Sequence, residues 1–107
     1  MPRINFSPQA IQDLIRLREY LASKSEAAAE KAKTEIISKI KSLPAMSEAH
    51  KPVPDHPMLR DLIIKFGASG YVARYWYERG SDILILRIRH QREAGFADED
   101  NSIENTG

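Results

Sequence analysis

Apolar residues recur at three- and four-residue steps in the first part of the chain and alternate with polar ones in the last. Between residues 10 and 21 the apolar positions are Ala10, Ile11, Leu14, Ile15, Leu17 and Leu21, with Gln12, Asp13, Arg16 and Glu19 between them. This spacing predicts an amphipathic helix with one core-facing side and those four polar residues turned outward. Ser7-Pro8 marks its start, because a serine oxygen can accept from an orphan N–H and proline loses nothing at the first helical position. The helix is expected from Pro8 to about Ala22. Ser23-Lys24-Ser25-Glu26 resets the chain, and Ala29, Ala32, Ile36, Ile40 and Leu43 then follow at helical steps until Pro44. The alanines of this second helix let the first approach closely, so an antiparallel helical hairpin is predicted.

A short first strand is read in residues 2–6, where Ile4 and Phe6 alternate with Arg3 and Asn5. Residues 44–58 hold four of the six prolines and are expected to be a connecting loop, since proline neither continues a helix nor donates to a sheet ladder. Three β-rich runs follow, RDLIIKFG, GYVARYWYERG and DILILRIRH, separated by Gly67-Ala68-Ser69-Gly70 and Arg79-Gly80-Ser81 as hairpin-like turns. In the first run Leu62, Ile64 and Phe66 share one face and Asp61, Ile63 and Lys65 the other. In the last, strict alternation sets Leu84, Leu86 and Ile88 against Ile83, Ile85, Arg87 and Arg89. The expected fold is α+β, in the order β-α-α-β-β-β, with an N-terminal helical hairpin packed on a small antiparallel-rich sheet.

Composition narrows this further. One domain is expected over residues 1–97, and an acidic, disordered tail over 98–107. All 16 Lys and Arg lie at or before Arg92, so residues 1–92 carry a net +6 and residues 93–107 carry −5. A basic body favours an anionic partner, nucleic acid or acidic protein. The absence of cysteine excludes disulfides, thiolate zinc sites and a Cys nucleophile. No signal peptide or membrane span is read, and a cytoplasmic location is expected.

No Gly-rich phosphate loop, Gly-x-Ser-x-Gly elbow or HExxH occurs. His50, Asp55 and His56 have the residue types of a metal site without its fixed spacing, so neither metal nor cofactor is assigned. The informative segment is the last strand, where Arg87, Arg89, His90 and Arg92 crowd the end of an aliphatic run, with Arg74 and Trp76 on the neighbouring strand. Guanidinium groups on one sheet face suit phosphate oxygens, and Trp76 can stack on a base or cover an apolar patch. The alternative is that Arg87 and Arg89 only finish a half-exposed sheet by pairing with Asp61 and Glu78. Parity places His90 with Leu84 and Leu86, as a general acid or as a structural histidine.

The order of FSPQAIQDLIRLREYLA, SLPAM, MLRDLIIKF, GYVARYWY and LRIRHQREAGF resembles the RelE/ParE superfamily of bacterial type II toxins, most closely its ParE branch. The resemblance covers about residues 3–96. It implies a toxin held inactive by a cognate ParD-like antitoxin in a hetero-oligomer, directed at DNA gyrase and serving plasmid stabilization. RelE-like members instead cut messenger RNA on the ribosome with a cluster of basic residues and often a Tyr or His. Lys65 and Arg92 match RelE-type basic positions. Val72 stands where RelE-like chains place an Arg, Ile63 replaces another basic residue, and no Tyr acid is found in the tail. Each missing donor costs ~10²-fold or more in phosphoryl transfer, so no catalytic residue is assigned. A third possibility is a binding module with another target. Arg74, Trp76, Arg87, Arg89, His90 and Arg92 are the candidates for target binding. Leu17, Tyr20 and Leu21, expected as exposed apolar residues of the first helix, are the candidates for antitoxin binding.

Overall fold

The computed structural model describes residues 3–46, 50 and 52–93; the acidic tail, with Phe96, lies outside the described residues. The elements in chain order are β1 (Ile4–Phe6), α1 (Pro8–Ala22), α2 (Glu26–Lys41), α3 (Leu43–Met46), β2 (Pro52–Val53), β3 (His56–Phe66), β4 (Ser69–Trp76) and β5 (Ile83–His90). They build a five-stranded sheet in the order β1-β5-β4-β3-β2 with α1 and α2 packed on one face. β1 pairs with β5 in parallel and the remaining pairs are antiparallel. The expected α+β plan of a helical hairpin on a mainly antiparallel sheet is therefore what the chain adopts.

Local chemistry explains the element boundaries. Ser7 caps α1 with its side-chain oxygen, accepting from the Ala10 N–H at 3.0 Å, and Pro8 opens the helix. Ser25 caps α2 in the same way on Ala28 at 3.1 Å. At the hairpin bend, Arg18 of α1 donates to Glu26 and Glu30 of α2 at 3.0 and 2.8 Å. The core between hairpin and sheet comprises Ala10, Leu17, Ile36, Ile40 and Leu43 against Leu62, Ile64, Ala73, Tyr75, Ile83, Ile85 and Ile88.

The proline-rich segment is not a plain loop. Pro44 sits in the first turn of α3, where its missing N–H is no loss, and α2 has already ended at Lys41. Pro52 lies in the edge strand β2, and Pro57 near the start of β3, positions that do not break the interior ladder. Two positions of the chain need glycine. Gly67 (φ 60°) turns β3 into β4. A Cβ on Gly70 would lie 2.1 Å from the Ile64 carbonyl oxygen, so only glycine lets β4 approach β3 there.

Alternation fails in β5. Its register shifts between Arg74 and Tyr75, because Tyr75 pairs with Ile85 but Arg74 pairs with Arg87, leaving Leu86 unmatched. Ile83 and Ile85 therefore share the core face with Ile88, and all three are fully buried. Beyond the bulge His90 falls on that core face and not with Leu84 as parity suggested.

Candidate functional site

The sheet face opposite the helices is built as alternating rows across β3, β4 and β5. One row is Leu59, Trp76 and Leu84; the next Asp61, Arg74 and Arg87; the next Ile63, Val72 and Arg89; and Lys65 lies beside Gly70 at the end. Apolar and charged rows thus alternate. Among the described residues no helix lies over this face, and Ile63 is 49% exposed.

Both arginines of the charged row are held by carboxylates. Arg74 donates to Asp61 through Nε at 2.9 Å and Nη2 at 3.1 Å. Arg87 reaches past the β5 edge and donates to Asp13 of α1 through Nε at 2.9 Å and Nη2 at 3.2 Å. The same Asp13 carboxylate accepts the Ile88 backbone N–H at 2.8 Å, just beyond the point where β1 stops covering β5. Asp13 is 4% exposed, so the turn outward expected from the helical pattern is wrong for it. Ile11 and Ile15, expected in the core, are instead 47% and 46% exposed. The true core stripe is Ala10, Asp13, Leu17 and Leu21 with Leu14, at steps of three and four. An acid within that stripe was the available signal for a buried ion pair.

Arg89 follows a third course. Its Nη1 donates to the carbonyls of His90, Gln91 and Glu93 at 3.3, 3.4 and 3.0 Å, closing the turn after β5. Of the bonds described, Asp61 takes Arg74, Asp13 takes Arg87, and Arg89 holds carbonyls. Glu93, which the sequence reading did not single out, accepts from the His90 N–H at 2.8 Å and pairs with Arg16 of α1 at 3.2 Å.

His90 is held on both ring nitrogens. Nδ1 accepts from the Arg92 N–H at 3.1 Å, which places the ring proton on Nε2, facing the Ser69 hydroxyl at 3.0 Å. In that tautomer the imidazole donates to Ser69 and does not act as its base. Its ring meets Tyr71 edge-on at 5.4 Å, and burial raises the Tyr71 phenol above its ordinary value. Lys65 and Arg92 are exposed at this end of the sheet with no ion pair among the described residues. Trp76 is half-buried in its apolar row. Among the described residues there is no group of three or more metal-ligating side chains, and His50 packs edge-on against Tyr75 at 6.3 Å.

The second feature is an apolar slot of about 200 Å³ between α1 and α2, lined by Leu14, Ile15, Ala32, Ile36 and Ile37 with Tyr71. Of the three helix residues expected to be exposed, Tyr20 is 66% exposed, Leu21 is half-buried against the core, and Leu17 is 7% exposed. Leu17 is buried because it lies one turn beyond Asp13 on the sheet-facing stripe. It lines the slot from within.

Known proteins are similar to this chain in sequence and in fold. Residues 4–95 match the family described as ParE toxin of type II toxin-antitoxin system, parDE. A Caulobacter vibrioides protein named Toxin RelE3 is 32% identical over 93 residues, covering 87% of this chain and 98% of that protein. A solved structure of the chromosomal ParDE TA system from P. aeruginosa superposes with a TM-score of 0.68 at 24% identity, covering 84% of this chain and 96% of that one. That last likeness is one of fold.

Proposed function

This chain belongs to the family of ParE toxins of type II toxin–antitoxin systems, and we propose from that premise that it inhibits DNA gyrase and is neutralised by a cognate ParD-like antitoxin. It acts in the cytoplasm, as a surface-recognition inhibitor and not as a nuclease, and it serves plasmid stabilization. The observation that carries this reading is the commitment of the arginines. Arg74 is bidentate on Asp61 and Arg87 is bidentate on the buried Asp13. A ribonuclease of this superfamily needs preorganised donors aimed at a scissile phosphate, and groups locked onto carboxylates inside the fold are not so aimed. Ile63, which is 49% exposed, and the buried Val72 stand where such donors would be. What the open face offers is alternating apolar and polar rows, suited to a protein surface. The slot between α1 and α2 is the place for an apolar face of the antitoxin.

A RelE-like, ribosome-dependent nuclease is the second reading, and one observation favours it. Lys65, Tyr71, His90 and Arg92 gather at the same end of the sheet, two of them exposed cations. Purified protein assayed in parallel for gyrase-catalysed supercoiling and for mRNA cleavage on ribosomes separates the two. Gyrase inhibition without cleavage is expected. His90→Gln should keep most of the toxicity, whereas a loss of about 10²-fold or more in a folded variant is the size of a general acid–base contribution and would establish the nuclease.

A further inference from the structure

One end of the open sheet face carries positive charge that the described part of the fold leaves unneutralised, and the acidic end of the chain starts beside it. Lys65 of β3 and Arg92 after β5 are exposed and have no ion pair among the described residues. Lys65 pairs with Gly70, and the Gly70 carbonyl accepts the Gln91 N–H at 2.9 Å, so β3, β4 and the chain leaving β5 lie side by side there. The point of departure is fixed. Arg89, which stands in a row of the open face, donates to the Glu93 carbonyl at 3.0 Å, and the Glu93 carboxylate accepts from the His90 N–H at 2.8 Å. Residues 94–107 then bring Asp98, Glu99, Asp100 and Glu104 and no Lys or Arg. All four carboxylates lie beyond residue 95, where the family match ends.

We propose that this acidic segment is the occupant of the basic sheet end: Asp98, Glu99 and Asp100 lie over Lys65 and Arg92 and keep other polyanions off them. Reach permits it. Asp98 to Asp100 are five to seven residues past Glu93, an extended span of about 16–23 Å, and Lys65 stands two strand spacings, about 10 Å, from the chain leaving β5. Charge favours it, since residues 1–92 carry a net +6 and residues 93–107 carry −5. The tether holds the carboxylates at an effective concentration on the order of millimolar, which a free anion must exceed to displace them. Ile103, three residues past Asp100, can reach Ile63, which is 49% exposed and two positions along β3 from Lys65. Such exposed pairs are weakened by salt and require no fixed conformation of the segment. The guard is independent of which target the open face meets.

The test compares the full chain with a neutralised variant, Asp98→Asn/Glu99→Gln/Asp100→Asn/Glu104→Gln, with melting recorded for both. Each is treated with limiting N-hydroxysuccinimidyl acetate at low and at high salt, and acetylation is read lysine by lysine by mass spectrometry. A carboxylate beside an ammonium keeps the proton on it, so Lys65 should react roughly 5-fold faster in the neutralised variant at low salt, with the gap closing at high salt. Lys31 and Lys33, exposed on α2 in the other layer, should react at one rate in both proteins. A heparin oligosaccharide, used as a polyanion probe, should bind the neutralised variant ~10-fold more tightly once the tethered competitor is gone. Adding Lys65→Gln/Arg92→Gln should remove that gain. Equal Lys65 rates in the two proteins, an equal rise at every lysine, an unchanged heparin affinity, or a gain that survives Lys65→Gln/Arg92→Gln each overturns the proposal.

Discussion

A carboxylate accepting three hydrogen bonds inside the fold, as Asp13 does, holds α1 to β5 at the point where the β1 ladder ends. Replacing it by alanine removes the carboxylate that the Arg87 guanidinium and the Ile88 N–H share, and breaking a buried pair costs about 3–5 kcal/mol. Asp13→Ala should therefore lower the denaturant midpoint sharply, and Asp13→Ala/Arg87→Met should recover much of the loss, because a pair replaced by apolar groups is often neutral. An unaltered midpoint in the single variant would show that the ion pair contributes nothing net. Asp13 also marks the limit of what its residue type reveals. An acid flanked by Gln12 and Arg16 reads as solvated, and only its position on the stripe of Ala10, Leu17 and Leu21 hints otherwise. Gly70 is the other decisive residue. Since a Cβ there meets backbone and not a yielding side chain, Gly70→Ala should destabilise by at least ~2 kcal/mol in equilibrium unfolding. An alanine variant of wild-type stability would mean that the strands part without cost.

Elements were legible where a local signal is self-sufficient and illegible where a tertiary constraint intervenes. Helix α1 runs from Pro8 to Ala22 as the Ser-Pro start and apolar spacing predict. Its rotation about its own axis is not legible, because Ile11 and Ile15 satisfy the same periodicity as the true core stripe and are exposed instead, Ile15 lining the hairpin slot. Strand β5 was placed correctly, but the bulge at Leu86 is set by how β4 and β5 twist together and leaves no mark in the sequence. The sites followed the elements. That Arg74 and Trp76 lie on the strand beside β5 was legible, and the destination of Arg87 was not. Ser7 joins these elements, since its N–H donates to Ile85 O at 2.9 Å, its hydroxyl donates to Leu86 O at 2.7 Å, and its oxygen accepts from Ala10 N. Ser7→Ala removes a helix cap and a bond to the bulge together, so a loss of about 1–2 kcal/mol is expected by chemical denaturation. Ser7→Gly, which keeps a tolerated cap residue but not the bulge bond, should show how much of the loss belongs to each.

Over the whole molecule, stability and function depend on which groups the fold takes out of water. Tyr75 has no exposed surface, and burial pushes its phenol from 10.0 up to about 12. Tyr71 moves in the same direction for the same reason. A raised pKa means that the unfolded chain loses the proton first. The contribution of Tyr75 is therefore complete below pH 10 and is lost as pH rises toward 12. Thermal melts across that window should show a steep fall in wild type and a shallower one in Tyr75→Phe; equal slopes would mean that the phenol ionises without opposition from the fold. The same economy of exposed charge shapes the functional reading: Arg74 and Arg87 are held by carboxylates of the fold, and in the proposed reading the open sheet face would meet the target. That account is tested most directly by gyrase-catalysed supercoiling of relaxed plasmid, with the purified toxin titrated in and the antitoxin then added. Supercoiling should stop as toxin is added and resume when the antitoxin restores balance. Full supercoiling at a large molar excess of folded toxin would contradict it.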